Sequence, residues 1–388
     1  MSLPALPQDT RPDVHPDPRP GSRLDPRLNP RLDPAALTPP VPWEFRRFLA
    51  DATTDGTDGA RVPTDGVQPV GRPGKVGVLD LTVGADAASP VRKTGVTSRF
   101  VKAPMQFTRP LYIDNGGQGD PATPGDPGTS GDPGEAFIYV RSTGGGLAQN
   151  DRIRQRIRLT AGARATVTTP AGTPVHRMNA GCATQWISLD VGEEAVCEYL
   201  PGQNTLFAGS RLLQVTEVSL ADSATLLTAD VILTGRLARG ERDLFDALGQ
   251  CWRVERAGRP LLSDTLCVIG AGQGRSEMLL SRWPVWGTVL IVPPVGWGGA
   301  AVKELLVEVR ALLAGLVAEA GRAGSGSAPV GTVVPGLTAA ASTMVGDAGI
   351  TVRAAGEDPV AVRAVVDAAY DLARRRVLGR PAVDLRRM

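Results

Sequence analysis

The sequence predicts a mainly β fold: many short, largely antiparallel strands, with two α-helices in the C-terminal half. Three observations predict it. From Phe137 to Val292, short apolar or alternating runs recur, mostly 9 to 15 residues apart, split by Gly, Pro, Asp and Asn. No long helical period intervenes, which is the pattern of antiparallel all-β chains. Later the period changes, and Val302, Leu305, Leu306, Val309, Leu312, Leu313, Leu316 and Val317 form one helical stripe.

Residues 1–42 hold 12 of the 33 prolines, including the tandem "RLDPRLNPRLDP" from Arg23 to Pro34. Proline fixes φ and removes a donor, and little here is apolar, so disorder is expected. Residues 51–75 are rich in Gly, Asp, Thr and Pro; between the two stretches, "WEFRRFLA" (Trp43 to Ala50) reads as a two-turn docking helix or as no element at all. Of the 21 residues from Asp114 to Gly134, 15 are Asp, Gly or Pro. Without an EF-hand spacing and its closing Glu, that insert reads as a solvated loop rather than a calcium site.

The strands follow as "AFIYV", "RIRQRIRL", "ARATVTT", "ATQWISLDV", "AVCEYL", "RLLQVTEVSL", "TLLTADVIL", "CWRVERAG", "LLSDTLCVI" and "WGTVLIV". In the second, Ile153, Ile157 and Leu159 alternate with Arg152, Arg154, Arg156 and Arg158, giving one polar face. Before it lies "STGGGLAQND", Ser142 to Asp151. A phosphate loop would need a Gly-Lys-Ser/Thr ending or a following helix, and Gly146 is followed by Leu147, Ala148 and Gln149 and then by a strand. The glycines therefore join strand to strand. The second helix runs from "EDP" to "VLGRP", with Asp358 as N-cap, Pro359 at N1 and Gly379 at C′. Arg374, Arg375 and Arg376 in its last turn either complement the dipole at a solvated end or dock a partner.

Composition excludes several classes. A net charge of +2, from 42 basic and 40 acidic residues, gives no case for nucleic acid or an anionic membrane. No run approaches the roughly 20 apolar residues of a membrane span, and no signal peptide is evident. Cys182, Cys197, Cys251 and Cys267 form no CxxC pair, so they read as reduced cytosolic thiols. His15 lies in the proline-rich arm and His176 in "TTPAGTPVHR"; with no GxSxG and no HExxH, neither a hydrolase triad nor a metalloenzyme can be assembled. "GRLARGE", Gly235 to Glu241, reads as a charged turn, a buried ion network of Arg236, Arg239 and Glu241, or a partner contact. A β-rich binding module without a metal role competes with these readings, although 4% aromatics is low for carbohydrate platforms.

In order, five motifs resemble the UreD/UreH family of urease accessory proteins. They are "KAPMQFTRPLY"; "STGGGLAQND", with Asn150 where the family has Gly; "TTPAGTPVHR", with His176 for Tyr and Pro174 for Lys; "CEYLPGQNTLFAGSR"; and "GRLARGE". The closing "RRRVLGRPAVDLRRM" is similar to the family's last helix and tail, without its Pro-Arg-x-Trp ending. The resemblance places the domain at 97–388, after an extension at 1–96 and around the insert at 114–134. It implies a helical stack of strands and a cytoplasmic, non-enzymatic chaperone. Such a protein binds apo-urease and, with a UreF-type protein and a UreG-type GTPase, supports nickel insertion. No tightly bound cofactor is implied, only nickel(II) in transit. Residues in the matched motifs that suit transit are Asp151, Glu198 and Glu241, with His176 as a first acceptor. Arg236, Arg239, Arg374, Arg375 and Arg376 are candidates for partner contacts or a structural network.

Overall fold

The computed structural model describes Phe45 and residues 74–86, 88, 93–112, 134–270, 283–323 and 336–383. All belong to one compact unit, 42–388. The expectations for the arm at 1–42, and for 114–133 of the insert, lie outside the described residues.

Seventeen strands are present among them: β1 (Val76–Ala85), β2 (Thr94–Lys102), β3 (Met105–Phe107), β4 (Ala136–Ser142), β5 (Arg152–Leu159), β6 (Arg164–Thr168), β7 (Thr173–Val175), β8 (Ala183–Val191), β9 (Val196–Leu200), β10 (Asn204–Leu206), β11 (Arg211–Leu220), β12 (Thr225–Leu233), β13 (Ala247–Arg256), β14 (Arg259–Ile269), β15 (Val285–Val292), β16 (Leu337–Thr343) and β17 (Ile350–Gly356). All ten strands expected from the sequence are present. They form a seven-stranded sheet, β14-β13-β11-β8-β5-β1-β2, and a ten-stranded sheet whose main path is β16-β17-β15-β12-β9-β6-β4-β3.

The chain alternates between the sheets from β4 to β13, landing each time beside the strand it laid down one coil earlier. Strands β4, β6, β9 and β12 are therefore parallel, and so are β5, β8, β11 and β13. The mainly β, stacked architecture is as expected, but the expected predominance of antiparallel pairing is corrected. Parallel neighbours need a long crossover, ordinarily a helix. Here the crossover is a strand in the opposite sheet, so short spacing without helices is compatible with parallel pairing. Antiparallel pairs occur at the margins, as in β1/β2, β13/β14 and β15/β17.

A second correction concerns the domain's start. Strand β1 lies between β2 and β5 in the seven-stranded sheet, so the ordered domain begins ahead of residue 97.

Strand β5 shows the predicted alternation, with Ile153, Ile157 and Leu159 in the core between the sheets and its arginines on the outer face. Strand β12 is buried at every position because it is covered on both sides, by the other sheet and by helices. Those helices are α1 (Gly299–Ala323) and α2 (Pro359–Leu378). On α1, Val302, Leu305, Leu306, Val309 and Leu313 are buried, with Leu316 and Val317 partly so. On α2, Asp358 accepts from Val360 N at 2.9 Å, and Gly379 takes φ 72° while its N–H reaches Arg375 O at 3.1 Å. Both caps are the predicted ones. The α2 helix lies so close to the sheet that a Cβ at Gly287 would stand 2.6 Å from Val366 Cγ2. The fold thus has three layers, and one polar group on an inner face must find its partner across a layer.

Candidate functional site

Asp151 closes the glycine turn between β4 and β5, which carries the chain from one sheet to the other. Its carboxylate accepts from Lys75 N and Ala148 N, each at 2.8 Å, and pairs with Lys75 Nζ at 3.0 Å. Asn150 sits at φ 60°, the left-handed conformation that Asn tolerates better than other side chains. His176 ties the turn from outside: its Nε2 is 2.9 Å from Gly145 O and donates to that carbonyl, and Nδ1 is not part of this contact. Its ring meets Phe207 edge-on, with centroids 5.3 Å apart.

Phe207 connects this turn to "GRLARGE". The Arg236 guanidinium lies 4.1 Å from the Phe207 centroid and grips Glu241 with two N–H groups, Nε donating to Oε2 at 2.6 Å and NH2 to Oε1. That pairing holds Glu241 below the usual carboxylate range. His176, Phe207, Arg236 and Glu241 line one open cleft, with Arg211 and Asp246 paired at 3.1 Å on its far side. The pair is half-buried, and Arg239 stands exposed beside it. Of the predicted transit residues, the structure thus brings His176 and Glu241 together and leaves Asp151 and Glu198 elsewhere.

Glu198 belongs to a buried cluster beneath α2. Thr166 on β6 and Glu198 on β9 are directly opposed, and Glu135 immediately precedes β4. All three face the helix. Arg374 Nε lies 3.0 Å from Glu198 Oε2 and its NH2 is 2.8 Å from Glu135 Oε2. Tyr370 donates its hydroxyl to Glu198, Thr166 donates to Glu135 at 2.6 Å, and Arg380 approaches Glu135 at 3.5 Å. Arg374 is fully buried, as is Glu198. Burial first, and then the Glu198 charge, push Glu135 up to about 8, against the pull of Arg374. The arginine run therefore divides. Arg374 builds this network, Arg375 pairs with Asp371 one turn back at 2.7 Å, and Arg376 reaches Glu308 on α1 at 3.0 Å. Sequence reasoning missed Glu135 and Tyr370. The available signal was Arg374 itself, which falls on the apolar stripe of Val362, Val366, Ala369, Tyr370 and Ala373.

A second buried group, between the sheets, was also missed. Asp230 points inward from β12, where its Oδ2 accepts from Gln214 Nε2 at 2.7 Å and Gln250 Nε2 at 2.6 Å, both reaching across from the other sheet. Gln214 Oε1 in turn accepts from Asn204 Nδ2 at 2.7 Å. Asp230 Oδ1 is buried with no partner, and burial raises the carboxyl's pKa. Beside Asp230 in register is Thr288, which accepts from Arg353 NH1 at 2.7 Å, and Arg353 pairs with Asp264 at the half-exposed rim. A polar line thus runs from the rim into the inter-sheet core. Among the described residues no three His, Cys, Asp or Glu side chains converge as a metal site, and no helix is long and apolar enough to cross a membrane.

Comparison with known proteins adds to this geometry. Residues 75–387 match the family model described as UreD urease accessory protein. The chain is similar to a "Urease accessory protein UreD 2" of Streptomyces griseus subsp. griseus, with 33% identity over 82% of this chain and 95% of that protein. It is also similar to a "Urease accessory protein UreD" of Haloarcula marismortui, with 30% identity over 86% of this chain and 97% of the relative. Phe45 and the N-terminal arm lie outside the matched residues.

Proposed function

The chain belongs to the UreD family of urease accessory proteins, and on that premise we propose that it is a non-enzymatic scaffold of urease maturation. In this reading it binds apo-urease in the cytoplasm and, with a UreF-type protein and a UreG-type GTPase, supports delivery of nickel(II), the cargo, to the urease active site. The observation that carries the reading is the family match, which spans both sheets and both helices.

A cargo ion must be held well enough to enter and weakly enough to leave. The polar line to Asp230 suits that requirement better than the other acidic candidates. Asp230 Oδ1 accepts no side-chain hydrogen bond, the groups that hold Oδ2 are uncharged amides, and the one cation that acts on it, Arg353, is engaged by Thr288 and Asp264. Glu198 faces Arg374, Asp151 is used by Lys75 and the turn, and Glu241 is gripped by Arg236. His176, on the wall of the open cleft, remains the candidate for first contact.

The test is co-expression with the urease subunits and the partner proteins, reading complex formation by affinity capture and nickel per urease active site by elemental analysis. The chain is expected to be captured with apo-urease and to raise nickel content. Asp230→Asn is expected to preserve capture and to lower nickel. No capture with urease would overturn the scaffold reading; normal nickel loading by Asp230→Asn would overturn the route alone.

A further inference from the structure

The outer face of the seven-stranded sheet carries an apolar patch that the two cores do not explain. Along β11 and β13, Leu212, Val218, Leu248, Trp252 and Val254 point into the inter-sheet core. By alternation Leu213, Val215, Gly249 and Cys251 point outward. Yet Leu213, Val215 and Cys251 are only 2%, 4% and 3% exposed. Most of the surrounding outer face is charged, with Arg152, Arg154, Arg156, Arg158, Glu217 and Arg253. Something covers the patch, and one described residue lies on it: Phe45, which is fully buried although 28 residues (46 to 73) separate it from the domain's first described segment. Its ring occupies the space a side chain at 249 would need. A Cβ there would stand 2.8 Å from Phe45 Cε2 and 2.9 Å from Leu213 Cδ1. In register Gly249 is opposite Leu213 and Cys251 is opposite Val215, so the ring lies in a slot whose floor is glycine and whose wall is leucine.

We infer that Phe45 is an intramolecular anchor, seated in the Gly249/Leu213 slot, that straps the N-terminal extension to the outer face of the seven-stranded sheet over β11 and β13. The partner this surface fits is the chain's own extension. The apolar patch is thereby withheld from other proteins. A missing Cβ under an aromatic ring is a packing relation between two residues that sequence reading cannot pair, because one lies outside the family match and the other lies within it.

The test uses native-state thiol labelling of the full-length protein with iodoacetamide at fixed pH, read cysteine by cysteine by mass spectrometry. Cys182 and Cys197, buried elsewhere, with thiols pushed up to about 12 by burial, report global opening. In the unmodified chain Cys251 is expected to label as slowly as these two. Phe45→Ala is expected to speed labelling of Cys251 by at least about tenfold while the other two are unchanged, the mark of local opening. Gly249→Ala is expected to do the same by displacing the ring, and the double variant is expected to add nothing further, because ring and slot act as one unit. Equal Cys251 rates in the unmodified chain and Phe45→Ala, additive effects of the two changes, or a uniform rise at all three cysteines would each overturn the anchor. None of these outcomes depends on urease.

Discussion

Replacing Glu135 with Gln should remove a pH dependence that the buried cluster imposes on the whole fold. Glu135 lies with Glu198 around Arg374, and burial and the neighbouring carboxylate raise it to about 8. An unfolded glutamate titrates near about 4.3. Between these values the folded protein holds a proton that the unfolded chain has released. Stability from this site is therefore fully present below about pH 4.3 and is lost as pH rises towards 8. The slope is about 1.4 kcal/mol per pH unit where the difference is one whole proton. From pH 6 to pH 8 the curve flattens as the folded group begins to ionise, so the expected loss is about 2 kcal/mol. The amide of Glu135→Gln keeps the size and an acceptor for Arg374 but cannot ionise. Urea unfolding of both proteins at pH 6, 7 and 8 isolates the cluster, since titrations outside it are common to the two. The gap in unfolding free energy between them should shift by about 2 kcal/mol in favour of the variant as pH rises. Parallel profiles would show that Glu135 is ionised in the fold throughout, and the charge reasoning would fail.

Two further outcomes are expected. Arg374→Met strands the fully buried Glu198 carboxylate and should cost about 3–5 kcal/mol, whereas Arg375→Ala and Arg376→Ala break exposed pairs and should cost less than about 1 kcal/mol each; urea midpoints of the three variants decide it, and similar losses in all three would refute the division of the run. A truncation starting at residue 74 keeps β1 and should remain folded, whereas one starting at residue 87 leaves β2 unpaired and exposes the edge of β5, so it should aggregate; far-UV circular dichroism and size-exclusion chromatography of the two compare them.

Much of the fold was legible because its elements are locally consistent. From β4 to β15 every strand but the three-residue β7 and β10 announces itself by alternation or by an apolar run between turn residues, and α2 carries both its caps in sequence. The overlooked strands lacked those signals. Strand β1 sits in a Gly- and Pro-rich neighbourhood, and β16, "LTAAAST", is mostly small residues. The sense of pairing could not be read at all, because the return path of each coil is itself a strand. In the site, "GRLARGE" carries its own ion pair within five residues and was legible as a charged unit. The Glu135–Glu198–Arg374 cluster joins positions 176 and 239 residues apart, and Asp230 meets Gln214 and Gln250 only across the two sheets. Spacing alone cannot place such groups together.

The two buried acidic centres differ in what a divalent cation would meet, and the difference follows from their layers. Glu198 faces the helix layer, where Arg374, Tyr370 and Glu135 occupy it and a fixed positive charge lies 3.0 Å from its oxygen. To accept a cation there, the fold would have to displace a guanidinium that it has fully buried, so this cluster serves to lock α2 onto the sheet. Asp230 faces the inter-sheet layer, where its side-chain donors are neutral amides and the Arg353 charge is already engaged by Thr288 and Asp264. Burial raises its carboxyl, against the pull of the two amides and of Arg353, and a cation reaching it would have no fully buried salt bridge to break. For the nickel cargo we propose, the inter-sheet line is therefore the better candidate stop than the helix-facing cluster.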